Sequence, residues 1–206
     1  RCARSAHGQL VSCAEHGSSE GVNTALRAEF HSAMQACVAA ATFFEALYAA
    51  AREGMPDHLL APKPEPGRPR GRARQVTEQL RRSFGLKQQG TKQLGDFLGH
   101  VYKLRNEAVH PSASFGDAVL HPRLQVGVER RFVVFGFESA RNAVRGALAH
   151  CEILPLVAGV QGPKETAQLC NYLRESGAPL LSAWRAEFGK LRDDEESRVD
   201  DVPTRD

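Results

Sequence analysis

At 206 residues with 42% hydrophobic content, the chain is long enough for one core of moderate size and too short for two large domains. Its net charge of +3 permits a polyanionic partner without requiring one. Five cysteines at scattered positions give no disulfide framework, and no signal peptide or apolar run of spanning length stands out, so a secreted scaffold and a membrane protein are set aside in favour of a reduced, cytoplasmic one.

Residues 1–21 read as an N-terminal extension. They contain Cys2, His7, Cys13 and His16, residue types that suit zinc, but at a spacing unlike a standard finger, so no metal is expected. Because the first residue is Arg1 rather than methionine, a fragment or processed chain is expected, and an upstream domain is a candidate partner. From Val22 to Arg52 the residues Leu26, Phe30, Ala33, Met34, Cys37, Ala41, Phe44 and Tyr48 recur three or four apart, the period of a long amphipathic helix. Ala39, Ala40 and Ala41 admit a close helical neighbour, and His31 falls beside the stripe as a packing or rim residue.

Gly54 and Pro56 end that helix, and residues 61–73 are too rich in proline and glycine for regular structure, so a mobile basic loop is expected. From Lys63 to Arg82, seven basic residues stand against two acidic ones, a net +5. Arg68, Arg70, Arg72 and Arg74 are the residues that would hold a phosphate backbone, since such contacts gain affinity by releasing counterions. The bland alternative is a flexible connector in an arginine-rich chain.

Helical pattern resumes from Arg74 to Phe84 and from Thr91 to His110, the second with Leu94, Phe97, Leu98, Val101, Leu104 and Ala108 on its apolar face. Tyr102, Asn106 and His110 form a polar stripe at i, i+4 and i+8 beside that face. Tyr102 reads either as a base-stacking ring or as part of a helix interface, and Lys103 as a phosphate contact or a solvated charge. Pro111 disfavours helical geometry at His110 and ends the helix there.

Beyond it, Leu124–Val128 and Phe132–Phe135 read as the strands of a small hairpin over 124–135. Ser139–Val160 and Lys164–Leu191 read as two more helices, bent or broken at Pro155 and at Gly177 and Pro179, with Trp184 and Phe188 as packing anchors. Cys37, Cys151 and Cys170 sit among apolar neighbours as small core residues. Residues 192–206 form an acidic tail expected to be disordered, and from Asp193 to Asp206 seven acids stand against two arginines, a net −5. The expected fold is mainly α: a decorated up-and-down helical bundle over 22–191 with a small β-hairpin insertion.

Leu104-Arg105-Asn106-Glu107-Ala108-Val109-His110-Pro111 carries the strongest chemical signal. The run of arginine, a polar residue and, a few positions on, a histidine at a helix end resembles the HEPN nuclease signature. The resemblance implies a metal-independent endoribonuclease, of the kind found in toxin and antiphage systems, that works as a homodimer on RNA and leaves 2′,3′-cyclic phosphate ends. It implies that His110 is the general base or acid, that Arg105 stabilises the phosphorane, and that Asn106 orients the histidine or the phosphate. Partners on this reading are RNA, a second copy of the chain and an antitoxin, with no membrane and no cofactor. The alternative is a catalytically silent HEPN-like bundle that binds RNA or docks proteins. At about 100° per residue, Arg105 and His110 diverge by about 140° on one helix, so two copies are expected to be needed to bring them together. A second pair, Arg145 and His150, has glycine in the polar slot and reads as a surface arginine and a packing histidine. No phosphate-cradling glycine loop, nucleophile elbow or redox cysteine pair appears.

Overall fold

The computed structural model describes residues 1–53, 55–62, 71–110 and 117–191. Helix α1 (Cys2–Glu15) leads into α2 (Ser19–Glu53), and a 3-10 turn at Asp57–Leu59 precedes α3 (Arg72–Phe84) and α4 (Gln88–Val109). Two short strands, β1 (Ala118–Leu120) and β2 (Gly127–Glu129), then pair antiparallel with Val119 opposite Val128. Helices α5 (Arg130–Val134), α6 (Phe137–Gln161) and α7 (Ala167–Phe188) complete a mainly α fold with one small sheet.

α2 is the central element, packing on α1, α3, α4 and α6. Its three-and-four spacing places Ala33, Cys37, Ala41, Phe44 and Ala51 in the core, where Phe44 is fully buried. The alanines keep one face of α2 shallow, so the larger side chains of its neighbours, Leu98 and Val101 of α4 and Val76 and Leu80 of α3, close against it. The expected packing of the first long helix against the helix that carries the Arg–Asn–His stretch is therefore present. α1 belongs to this assembly too, with Leu10 buried against Ala25 and Leu26 of α2.

The hairpin differs from its expected strands. Only Gly127 and Val128 of the expected residues are in a strand, their partner is β1, and Arg130–Val134 is a short helix. Glu129 explains the switch: its carboxylate accepts a hydrogen bond from the Arg131 amide and holds the Arg131 guanidinium at 2.8 Å, capping α5. Phe132 and Phe135 both meet the ring of Phe30, at 5.0 and 5.8 Å, and residues three apart share a helical face but lie on opposite faces of a strand.

The expected breaks in the last two helices do not occur: Pro155, Gly177 and Pro179 lie inside continuous α6 and α7. Packing supplies what local propensity lacks. The Arg174 guanidinium of α7 donates to the Pro155 carbonyl at 3.0 Å, and a Cβ on Gly177 would stand 2.6 Å from Cys151 Sγ, so glycine is what lets α7 lie against α6 there. By length and composition α2 and α6 would pass as membrane spans, with mean hydropathy of 1.3 and 1.4 over their most apolar stretches, which corrects the expectation of no run of spanning length. Each lays its apolar stripe into the core of the bundle.

The expected basic loop falls largely on residues 63–70, and the acidic tail on 192–206, both outside the described residues, as is Pro111. Next to that loop, Glu78 of α3 meets Arg81 at 2.8 Å and Arg82 at 2.7 Å. Those hydrogen bonds, chiefly from Arg81, hold the Glu78 carboxyl down at about 2 against an ordinary 4.5. A folded value below the unfolded one gives stabilisation that is present at neutral pH and lost as pH falls through that interval. Glu78→Gln is expected to cost roughly 0.5–1 kcal/mol at pH 7, with the deficit shrinking towards zero near pH 2. Urea titrations of both proteins at the two pH values check this, and an undiminished deficit in acid contradicts it.

Candidate functional site

The last turn of α4 and the first of α3 frame an open groove of about 580 Å³. Arg72, Tyr102, Lys103, Arg105, Asn106 and His110 line it, together with Glu107. The His110 amide still donates to the Asn106 carbonyl at 2.9 Å, but its own backbone (φ −127°, ψ 62°) has left the helix. Arg105 and His110 nonetheless line one groove of a single chain, which is broad enough to take in Glu107 as well, although Glu107 is helical and diverges from Arg105 by about 160°. Lys103, Asn106 and His110 are exposed, whereas Arg105 is half-buried and donates to Asn106 Oδ1 at 3.1 Å.

Beneath the groove lies an ion pair that the motif alone does not reveal. Glu45 of α2 takes a forked pair of hydrogen bonds from Arg72, whose guanidinium also lies 4.2 Å from the centre of the Tyr48 ring. Hydrogen bonding from Arg72 holds the Glu45 carboxyl below its ordinary range, and the positive charge of Arg105 works in the same direction. Burial, and then the Glu45 carboxylate, push the Tyr102 phenol up; its hydroxyl is buried and has no hydrogen-bond partner at bonding distance. Glu45 is the only Asp, Glu, Lys or Arg between Phe30 and Ala51, and a carboxylate in so apolar a run needs a cation nearby. That signal was available in the sequence.

Among the expected RNA contacts, Lys103 and Arg72 border the groove, although Arg72 is held by Glu45. Arg74 is exposed on α3 and is not part of the groove lining, and Arg68 and Arg70 lie outside the described residues. Tyr102 is only 6% exposed and belongs to the main core, so its ring packs between helices rather than standing free to stack a base. Glu107 faces Arg130 at 3.8 Å, which leaves three cations and one carboxylate along the groove.

The second Arg–His pair is built into the fold. His150 stacks on Phe97 with ring centres 5.1 Å apart, and its Nδ1 lies 2.8 Å from the Gly146 carbonyl. A Cβ on Gly146 would stand 2.1 Å from the Phe97 ring, so glycine occupies the polar slot because α4 packs there. Arg145 is half-buried and donates to the Leu191 carbonyl at 2.6 Å, a tether for the chain after α7 rather than a plain surface charge.

At the N-terminus, His7 meets Glu29 at 3.1 Å and stacks on Phe137, while His16 Nδ1 lies 2.7 Å from the Ser12 carbonyl. Among the described residues no group of three or more His, Cys, Asp or Glu is arranged to hold a metal. Glu29 is buried and accepts from the Phe137 amide at 2.7 Å, placing a carboxylate on the positive end of α6. His121 is buried as well, and burial lowers its pKa against the opposing pull of Glu29. Burial pushes the Cys37 thiol up to about 11 and raises those of Cys151 and Cys170, so these cysteines are packing groups rather than nucleophiles. Compared with known proteins, the chain matches no family model, no curated protein and no solved structure.

Proposed function

We propose that the groove at the end of α4 cleaves RNA, as a metal-independent endoribonuclease of HEPN type. The observation that carries this reading is that Arg105, Asn106 and His110 line one open groove together with Lys103 and Arg72. His110 would accept the proton of a 2′-hydroxyl as the 2′-oxygen attacks the adjacent phosphorus, and the bond to the 5′-oxygen would break as that oxygen takes a proton from water. The products are a 2′,3′-cyclic phosphate and a 5′-hydroxyl. Arg105 would hold the phosphorane oxygens, Asn106 would orient either group, and Lys103 would draw in the backbone electrostatically. Incubation of the purified chain with end-labelled single-stranded RNA in the presence of a chelator tests the reading, with DNA of the same sequence as control. Cleavage of RNA alone is expected; loss of cleavage with chelator, or cutting of both strands, contradicts it.

A two-fold dimer would join two such grooves into a longer polyanion track, and sedimentation velocity at micromolar protein is expected to give a dimer. A strictly monomeric chain that still cuts RNA would remove the composite site. Toxin or antiphage action, with an antitoxin covering the groove, belongs to the same proposal.

A second reading, a catalytically silent module that binds RNA or docks proteins, is favoured by one feature. Glu45 occupies the guanidinium of Arg72, and Glu107 brings a carboxylate to the groove, so its net attraction for phosphate is modest. RNA binding without cleavage by the same preparation is the outcome that would select it.

A further inference from the structure

On the far side of α6 from Phe97, a cavity of about 320 Å³ opens between α1, α2, α6 and α7. Its volume falls at the lower end of the range for small-molecule sites. Phe137, Trp184 and Phe188 supply aromatic wall, with the Trp184 and Phe188 ring centres 4.4 Å apart, and Ala36, Ala140 and Ala183 recess it. The polar groups of this cavity are nearly all donors. Trp184 is 6% exposed and its Nε1 is buried with no acceptor from the protein; Arg141 is a half-exposed side chain whose Nε alone is buried and without an acceptor. Arg1, Arg4 and Arg141 line the cavity; the single carboxylate of the lining, Glu187, is engaged by Arg4, and Arg141 reaches Glu138, outside the lining, at 3.5 Å.

A buried N–H without an acceptor costs about 1–3 kcal/mol, and neither an indole N–H nor a guanidinium can accept a hydrogen bond, so a molecule that relieves both must bring acceptors. Three arginines against the carboxylates of Glu187 and Glu138 leave a positive excess beside the cavity, which favours a negatively charged acceptor, because hydrogen bonds between ionised partners are the stronger kind. The apolar wall sets the rest of the molecule. We infer that this cavity binds a small amphipathic carboxylate, its apolar body against Trp184, Phe137 and Phe188 and its carboxylate on Trp184 Nε1 and Arg141 Nε. The site is separate from the groove at the end of α4, and its occupancy does not depend on RNA chemistry.

The chain has one tryptophan, so its emission reports on this cavity directly. Titrations would use 4-phenylbutyrate, 4-phenylbutan-1-ol and 4-phenylbutylamine, which share one apolar body and differ in charge. The acid is expected to change Trp184 emission saturably with a dissociation constant of about 1 mM or tighter. The alcohol should bind at least about tenfold more weakly, and the amine more weakly still. Arg141→Met keeps the aliphatic stem and removes the donor and the charge. Ala183→Phe, at an exposed lining position, fills the cavity without touching the core. Each should weaken the acid by about tenfold or more with the helical circular dichroism unchanged, and should Arg141→Met fail to fold, Ala183→Phe carries the comparison. No saturation by the acid at about 10 mM, equal binding of acid and amine, or undiminished binding of the acid by Ala183→Phe overturns the inference.

Discussion

His110→Ala and Arg105→Ala are each expected to lower RNA cleavage by about a hundredfold or more, the usual loss when an acid–base or charge-stabilising group is removed. Folding should be untouched in the histidine variant, because His110 is exposed and only its backbone amide, which alanine retains, takes part in the last turn of α4. Arg105 is half-buried and donates to Asn106, so its removal is expected to cost little in stability. Arg105→Lys separates charge from geometry: a lysine keeps the charge but lacks the planar fork, and partial recovery of rate is expected. Initial rates on one labelled RNA, with thermal melts of every variant, check these outcomes. Wild-type rates in His110→Ala would remove the histidine from the chemistry.

The difference between Arg105 and Tyr102 shows how far a motif alone can carry a site. The Arg–Asn–His spacing points to the end of α4, and the structure does bring those three residues to one groove. Helical spacing sets His110 about 140° from Arg105, however, and only the breadth of the groove, which also takes in Glu107, removes that conflict. Tyr102 follows the same polar stripe by spacing yet lies in the core, since a ring long enough to reach a neighbouring helix is buried whatever its polar tip suggests. The contact between Arg72 and Glu45 joins two helices 27 residues apart in the chain, and one-dimensional spacing has no access to such a pair.

Leu98→Asp is expected to unfold the chain. Leu98 is fully buried in the centre of α4, where it packs in the main core with Phe44 of α2 and Val101 of its own helix. An aspartate there forfeits the burial of a leucine and leaves a carboxylate with neither water nor a cation, a loss of roughly 4–5 kcal/mol or more. Domains of this size are commonly stable by only about 5–15 kcal/mol, so that loss consumes most of the margin. Leu98→Met, close in volume and apolar, should cost less than about 1.5 kcal/mol. Urea denaturation followed by circular dichroism distinguishes the two. A cooperative transition in the aspartate variant at the wild-type midpoint would mean that α4 does not pack in the core as described.

Much of that core was legible beforehand, because the stripes of α2 and α4 obey one period from end to end. The hairpin was less so. Phe132, Val133, Val134 and Phe135 have strand-like composition, but the three-residue separation of the two phenylalanines and the capping carboxylate of Glu129 decide for a helix. Proline and glycine in α6 and α7 misled in the opposite direction, since the Arg174 contact and the close approach of Cys151 to Gly177 act only once the helices have met.

The most direct measurement uses a single RNA strand in two forms, all-ribose and with one 2′-deoxy nucleotide immediately 5′ of the mapped cleavage point. If His110 activates the 2′-hydroxyl at the groove, the all-ribose strand is cut with chelator present to give a 2′,3′-cyclic phosphate, and the substituted strand is not cut at that position. No cleavage of the all-ribose strand, or unchanged cleavage at the deoxy position, contradicts the proposed chemistry.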